Sequence, residues 1–391
     1  MKYRTPLHIA ALCSNFVCTK ILLSHGAVAN TQDFSGNTAL HYAGSPEMTR
    51  ILLEGGISPN IPNGAGVCSL HLAVKRRDLI SVKHLLSHGA DVNNADHQHW
   101  FTPLHLVAHA QSQPVNASLS LRGPIAELLC EVKLPTVPDF NYQDKDGNSP
   151  LHHAASLVEE DAGILISLFV EHGSSPSIPN QRGQTPIHLF CHNQGARQFD
   201  FYHEALDLML VKGADPNTSS LSGCTALHLA VYHHDIEAAV LLVRHGAQVN
   251  MKWKKPAKWE TSWTDMGSDD VYPLDMLEDL QSLHQLLSEI TSPQIPAPRR
   301  LRCMHCKAKF GMFTRHHNCT HCGRSVCLKC CNVTLRQTFF PTLTNSGEGS
   351  SSALMKVCSL CEPILLSKME RVPMAIISVG CDQSSIGTIS M

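Results

Sequence analysis

Apolar and polar positions alternate with helical spacing through residues 1–290, and the same short pattern keeps returning. Each return begins with a tetrapeptide that ends in Leu or Ile followed by His, such as TPLH at 5–8. Most then run through an apolar stretch to a Gly and a turn closing on Asn, as in LLSHGAVAN at 22–30. Gly ends a helix readily because it adopts left-handed backbone angles without a Cβ clash. The pattern predicts pairs of helices joined by turns.

The tetrapeptides recur with a period near 33 residues. The clear copies are TPLH at 5–8, TALH at 38–41, CSLH at 68–71, TPLH at 102–105, SPLH at 149–152, TPIH at 185–188 and TALH at 225–228, and a degraded copy, YPLD, stands at 272–275. This series resembles the ankyrin repeat, a turn plus two antiparallel helices. The resemblance implies a mainly α fold, with a solenoid of seven clear repeats and one degenerate repeat over 1–290.

One His stands at the same place in every clear repeat. The resemblance implies that the Thr that begins most tetrapeptides caps the first helix and bonds this His, which ties one turn to the next. A metal or catalytic role would need a second, convergent ligand, and the sequence offers none. We therefore interpret these residues as structural: His8, His41, His71, His105, His152, His188 and His228.

The longest departures from the period are insertions in loops. One of them, within 251–273, carries three of the four tryptophans of the chain beside several lysines. Tryptophan on an exposed loop is typical of a protein-binding hot spot. The candidate partner-binding residues are therefore Trp253, Trp259 and Trp263. The alternative is that the loop folds its own aromatic side chains back onto the repeats.

Both ends of the repeat region carry signals of their own. The first repeat begins almost at Met1 without a preceding turn, so it is either an unusually bare end or the sequence is short at its start. After the amphipathic segment 282–290, residues 291–298 are rich in proline and are expected to form a stiff linker. We expect a small domain at 299–368 and a flexible tail at 369–391.

Composition adds a charge asymmetry. Hydrophobic residues make up 43% and charged residues 16% of the chain, a globular balance. No apolar run reaches the roughly 18 residues of a membrane span, and the first residues have no secretory pattern, so a cytoplasmic protein is expected. Residues 299–371 hold 12 basic and 3 acidic residues, whereas 1–298 hold 19 basic and 29 acidic ones. The basic module suggests an anionic partner, but nothing beyond its charge indicates nucleic acid.

Eight of the 16 cysteines form four C-x2-C pairs between 303 and 361. A C-x2-C turn presents two thiolates to one tetrahedral ion, so four pairs predict two Zn sites. The spacing x2, x12, x2, x4, x2 resembles the FYVE zinc finger. That resemblance implies a cross-brace in which Cys303, Cys306, Cys327 and Cys330 bind one ion and Cys319, Cys322, Cys358 and Cys361 bind the second.

The FYVE resemblance also implies a binding site for phosphatidylinositol 3-phosphate. In the family's basic motif, Arg315 and His317 match, His316 stands at an Arg or Lys position, and Lys356 stands near the last pair. Asn318 and Thr320 replace a His and an Arg, so the motif is divergent. Met312 and Phe313 occupy the tip that inserts into membranes in this family.

We predict a non-catalytic adaptor whose ankyrin repeats bind a protein while the finger docks on a phosphoinositide membrane, peripherally on endosomes. One alternative is a protein-binding scaffold with a purely structural finger. Another is a RING-like ubiquitin ligase with an ankyrin substrate receptor, although the x4 spacing is unusual for RING fingers. The sequence has no phosphate-binding glycine loop, H-E-x-x-H motif or nucleophile elbow, so we expect no enzyme.

Overall fold

The computed structural model describes residues 3–109, 121–132, 137–254, 270–277, 280–290, 316–319, 321–322, 325–327, 330–331, 333–336 and 354–370. The chain forms two compact units, Met1–Leu241 and Leu242–Met391. The described residues of the first unit are helical, whereas the second combines helices with short antiparallel strand pairs.

The repeats appear as pairs of short helices. In chain order these are α1 (Pro6–Leu12), α2 (Phe16–Ser24), a 3₁₀ helix (Ala39–Tyr42), α3 (Pro46–Glu54), α4 (Ser69–Lys75), α5 (Leu79–Ser87), α6 (Pro103–Ala108), α7 (Arg122–Cys130), α8 (Pro150–Ala155), α9 (Asp161–Glu171), α10 (Pro186–His192), a 3₁₀ helix (Gln194–Gln198), α11 (Phe201–Val211), α12 (Ala226–Tyr232) and α13 (Ile236–Arg244). The first helix of each pair starts at a tetrapeptide.

Neighbouring pairs stack like on like. The first helices of successive repeats contact one another: α4 contacts α6, and α6 contacts α8. The second helices do the same, since α3 contacts α5 and α7 contacts α9. The third tetrapeptide residue is the centre of this packing. Its exposure is at most 2% in every clear repeat, at Leu7, Leu40, Leu70, Leu104, Leu151, Ile187 and Leu227. The ankyrin architecture predicted from the period is confirmed.

The repeated His side chains tie each repeat to the next. His8 Nδ1 accepts the backbone N–H of Thr5 at 3.1 Å and lies 2.8 Å from the Thr5 hydroxyl. Its Nε2 lies 2.9 Å from the carbonyl oxygen of Asn37, at the tip of the following turn. An Nδ1 that accepts leaves the proton on Nε2, which therefore donates to that carbonyl. His41, His71, His105, His152 and His188 reach the next turn through the same Nε2 contact.

One repeat departs from the helical pairing. Leu40 and Leu70 are 30 residues apart, three fewer than the period. The first helix of that repeat is reduced to the single 3₁₀ turn Ala39–Tyr42, because Ser45 already caps α3 and Pro46 is its first residue. Proline fits the first helical position, where its missing N–H has no helical partner.

The described residues of the second unit form three strand pairs and the last helices. They are β1 (Trp253–Lys254), β2 (Asp270–Val271), a 3₁₀ helix (Pro273–Asp275), α14 (Leu280–Ser288), β3 (His316–Asn318), β4 (Ser325–Cys327), β5 (Val333–Arg336), β6 (Leu354–Val357) and α15 (Cys361–Glu370). The antiparallel pairs are β1 with β2, β3 with β4 and β5 with β6. α14 packs against α15, and the apolar side chains buried on these helices include Leu286, Leu287, Ile364 and Leu365.

Candidate metal centre

Two cysteine turns of the second unit lie side by side. Cys319 and Cys322 belong to the connection between β3 and β4, and Cys358 and Cys361 to the connection between β6 and α15. β3 also contacts β6, which brings the two connections together. The four sulfur atoms all lie within 4.8 Å of one another. Among the described residues, no other group of three or more His, Cys, Asp or Glu is arranged in this way.

The sulfur arrangement suits one tetrahedral Zn²⁺ ion. Cys322 Sγ and Cys358 Sγ are 3.9 Å apart. Four thiolates at the usual Zn–S distance of about 2.3 Å have sulfurs about 3.8 Å apart, whereas a disulfide requires about 2.05 Å. All four side chains are at most 1% exposed. Four protein sulfurs fill a tetrahedral shell, so such a site stabilises the fold and leaves no position open for a substrate.

The four thiols of this cluster share their protons, and hydrogen bonds with the other sulfurs together with burial raise the pKa values of Cys322 and Cys361. Hydrogen bonds from the thiols of Cys322, Cys358 and Cys361 lower the pKa of Cys319 well below its ordinary value. The backbone N–H of Cys358 also donates to Cys319 Sγ at 3.3 Å. A zinc ion would replace the thiol protons with a single divalent charge, which is why thiol ligands of zinc are deprotonated.

Buried cysteines in the repeats have raised thiol pKa values, in contrast to Cys319. Burial raises the pKa of Cys130 and of Cys224 to about 12, so both stay protonated near neutral pH. A protonated thiol is neither a metal ligand nor a nucleophile. These residues are apolar fillers of the repeat core.

The other predicted zinc ligands are only partly described. Cys303 and Cys306 lie outside the described residues. Cys327 ends β4, paired with His316 of β3, and Cys330 is buried at 8% exposure. The first predicted site therefore remains a prediction.

The predicted lipid-binding residues fall on two adjacent strands. His316 and His317 begin β3, where His317 pairs with Val326 and is half-buried. Lys356 lies in β6 opposite Thr334. Contact between β3 and β6 brings these two backbone segments close together. Arg315 and the predicted membrane-inserting residues Met312 and Phe313 lie outside the described residues.

One predicted partner contact is wrong. Trp253 pairs with Val271 at the base of the inserted loop, and only 3% of its surface is exposed. Its indole packs inside the unit, because a large aromatic side chain gains more from burial than from contact with water. It is therefore not available to a partner. Trp259 and Trp263 lie outside the described residues.

Sequence reasoning missed a contact between Asn250 and the cysteine cluster, both of which belong to the second unit. Asn250 Nδ2 donates to the carbonyl oxygen of Cys322 at 2.5 Å. In earlier repeats the Asn at this position donates to a carbonyl of the next repeat, as Asn60 does to Gly89 at 2.8 Å. The Cys322 carbonyl thus accepts the hydrogen bond that in earlier repeats goes to a carbonyl of the next repeat. The recurring Asn at the end of each turn is the signal that would have identified this donor.

Comparisons with known proteins agree with both parts of this architecture. A family model described as ankyrin repeats (3 copies) matches residues 2–63, 70–171 and 157–253. A second, described as FYVE zinc finger, matches 295–367.

Relatives and solved structures cover the chain to different extents. Rabankyrin-5 of Homo sapiens is 26% identical over 354 residues, covering 84% of this chain and 29% of that protein. Palmitoyltransferase ZDHHC13 of Homo sapiens is 32% identical over 193 residues, 48% of this chain and 28% of that protein. The crystal structure of the Bcl-3 ankyrin repeat domain covers 73% of this chain and 99% of its own, at 19% identity and a TM-score of 0.39. The chain thus spans less than a third of the length of Rabankyrin-5. In the described residues no helix is both long and apolar enough to cross a bilayer.

Proposed function

Because the chain belongs to the ankyrin-repeat family and carries a C-terminal FYVE-type zinc finger, we propose that it is a non-catalytic adaptor. In this proposal the repeats bind a protein partner, and the finger docks on membranes that contain phosphatidylinositol 3-phosphate. The observation that carries the proposal is the buried four-sulfur cluster beside the strands of His317 and Lys356. A closed thiolate site supports folding and leaves the neighbouring basic strands to bind an anion.

We assign two Zn²⁺ ions to the finger. Cys319, Cys322, Cys358 and Cys361 would hold one ion, and Cys303, Cys306, Cys327 and Cys330 the other. Eight thiolates and two Zn²⁺ ions together carry a charge of about −4, which lowers the balance of 299–371 from +9 to about +5. Basic residues near an anionic bilayer contribute roughly 1 kcal/mol each, so charge alone supports weak adsorption. Specific docking then depends on Arg315, His317 and Lys356, and places the chain peripherally on endosomal membranes.

Liposome sedimentation of the full chain tests this function. We expect binding to liposomes containing phosphatidylinositol 3-phosphate and weaker binding to liposomes with phosphatidylserine at equal charge. Arg315→Ala should remove the preference, and His88→Ala, an exposed His on the repeats, should leave it intact. Equal binding to both lipids would refute headgroup recognition.

A purely structural finger is the second candidate function. Asn318 and Thr320 stand where the family's motif has a His and an Arg, so two neutral side chains replace groups that can carry a positive charge beside the phosphate. In that case the chain would sediment with neither lipid, and zinc removal would still unfold the finger. The liposome experiment separates the two functions directly.

A further inference from the structure

The turn before the fourth tetrapeptide differs from every other described turn of the repeats. It runs from Asp96 to Thr102 and is one residue longer than the turn from Asp33 to Thr38. Two residues before the tetrapeptide, five other turns place a glycine with φ between +70° and +82°, and the first tetrapeptide is preceded by Tyr3 with φ +46°. The five glycines are Gly36, Gly66, Gly147, Gly183 and Gly223. The same position here is Trp100, with φ +62°.

A tryptophan in this conformation is a local conflict between sequence and backbone. Positive φ is unfavourable for a bulky side chain and persists only when the surroundings enforce it. Here the Trp100 N–H donates to the Asp96 carbonyl at 3.1 Å, and the Asp96 N–H to the Phe101 carbonyl at 3.1 Å. In the shorter turns a Cβ has no room, since one at Gly147 would lie 2.7 Å from Gln181 N. The extra residue is what admits a side chain at this point.

Packing does not account for the indole. Trp100 is 49% exposed, so little of its surface is removed from water. Lys145 of the next turn lies beside the indole: its Nζ is 6.0 Å from the ring centroid and donates to the His97 carbonyl at 2.8 Å. Strained, exposed aromatic residues are typical of binding sites, where contact with a partner compensates for the strain.

A cluster of imidazoles continues from Trp100 along the first helices. The Phe101 ring lies between 5.0 and 5.7 Å from the rings of His99, His105, His109 and His153. His153 lies 5.4 Å from His109, ring to ring. Imidazole edges and backbone-anchored aromatic rings provide both stacking surface and hydrogen-bonding atoms for a peptide.

Accessible charge around this cluster is mostly positive. Lys145 and Lys75, the last residue of α4 next to α6, are exposed. The nearby carboxylates of Asp96 and Asp144 are buried, and each already has a hydrogen-bond partner within the protein. Asp96 accepts the His99 N–H at 2.6 Å, and Asp144 lies 2.8 Å from His153 Nε2. Asp146, at the tip beside Lys145, is exposed, and the partly exposed Glu159 is paired with Arg122, which donates to the His109 carbonyl.

We propose that Trp100, His99, His109, His153 and Lys145 form a docking surface for an acidic peptide segment of a partner protein. An apolar or aromatic side chain of the peptide lies on the exposed face of Trp100, and its carboxylates face Lys145 and Lys75. This inference rests on the adaptor function proposed above, because it supplies the protein-binding surface of the repeats.

Hydrogen exchange of the full chain, with and without a random glutamate–tyrosine copolymer as the probe, tests the surface. We expect slowed exchange in peptides covering 97–109 and 143–153, and no slowing with a lysine–tyrosine copolymer. Trp100→Gly restores the residue found in the other turns. It should abolish the slowing without lowering the melting temperature, and Lys145→Glu should weaken it at least tenfold in probe concentration.

The matched control is Phe34→Gly, which removes an exposed aromatic side chain from the first turn and should leave the slowing unchanged. Absence of slowing at 97–109, slowing by both copolymers, or slowing that survives Trp100→Gly would overturn the inference. A melting temperature lowered by Trp100→Gly would assign the residue a structural role instead. If liposome binding persists while this surface takes no acidic probe, only this inference fails. If liposome binding is absent while the probe binds, the membrane part of the proposed function fails alone.

Discussion

In six repeats of this chain, hydrogen bonds at both ring nitrogens fix the tautomer of one imidazole. Nδ1 accepts from the capping residue and Nε2 donates to the next turn, so the ring must stay neutral to make both bonds. Burial lowers the pKa of His105 to about 3 and that of His152 to about 4, and it lowers the pKa of His41, His71 and His188 as well. The same residues that set the repeat spacing therefore make the fold sensitive to acid.

Acid should destabilise the repeats well above the pH at which carboxylates titrate. A folded-state pKa below the unfolded value of about 6.5 gives stability that is present above pH 6.5 and lost as pH falls towards the folded pKa. At pH 5, His105 and His152 should each cost about 2 kcal/mol. Urea unfolding of the full chain at pH 7 and pH 5 measures the loss. His152→Gln should make the dependence shallower, whereas His25→Gln, at an exposed His, should not; equal stability at both pH values would contradict the neutral-imidazole assignment.

A buried arginine also joins separate segments of the repeats through hydrogen bonds, beside the first long insertion. Arg122 is 2% exposed, donates to the carbonyls of Val107 at 2.6 Å and His109 at 3.1 Å, and pairs with Glu159 at 2.9 Å. It closes the end of α6, where the chain leaves the repeat pattern.

Arg122→Ala should lower the free energy of unfolding by about 3 kcal/mol. This value is at the lower end of the range for breaking a buried ion pair, because the Glu159 side chain is 40% exposed and can still be hydrated. Arg182→Ala, at an exposed turn, should change it by less than about 0.5 kcal/mol. Urea unfolding of both variants provides the comparison. A loss as small for Arg122 as for Arg182 would contradict this role.

At the scale of elements, the repeated sequence motif predicted the helix pairs, whereas the features that occur only once were not predicted. The Leu–His tetrapeptides and Gly-ended helices located the helix pairs, because each repeat faces the same packing problem and solves it with the same residues. The 3₁₀ turn at 39–42, the buried Trp253 and the Asn250 contact depend on which segments meet in space, and a single repeat does not encode that. The pairing of Cys319 and Cys322 with Cys358 and Cys361 came from the family resemblance, since spacing alone allows other pairings.

The cysteine turns provide the element-scale prediction. Cys319→Ser removes one of four converging sulfurs, and a hydroxyl is a poor zinc ligand, so the chain should bind one zinc ion fewer. Native mass spectrometry of the full chain counts the ions. Cys13→Ser, at an exposed cysteine of the first repeat, is the matched control and should keep the full count. An unchanged count in Cys319→Ser would refute the assignment of this cluster to zinc.

On the scale of the whole molecule, the two compact units should depend on metal to different degrees. The unit Met1–Leu241 holds none of the paired cysteines, and its core is the repeated apolar packing of helices. Each repeat is stabilised by its neighbours, so metal contributes nothing to that core. The finger joins short strand pairs through cysteine turns, and metal binding and folding are coupled in such small domains. Asn250 and Cys322 lie within the unit that contains the finger and are joined by a hydrogen bond. Loss of the metal should therefore break this bond and destabilise the segment around Asn250.

Strong chelation should therefore unfold the finger and leave the repeats helical. Circular dichroism of the full chain should keep most of its helical signal, because α1 to α13 need no ion. Limited proteolysis should cut first within 316–370, and then near Asn250 once its carbonyl partner is lost. Asn250→Ala should give the cut near 250 even with zinc bound, whereas Asn60→Ala should not. Collapse of the helical signal on chelation would show that the metal stabilises the repeats as well, and would contradict a repeat core that is stable without metal.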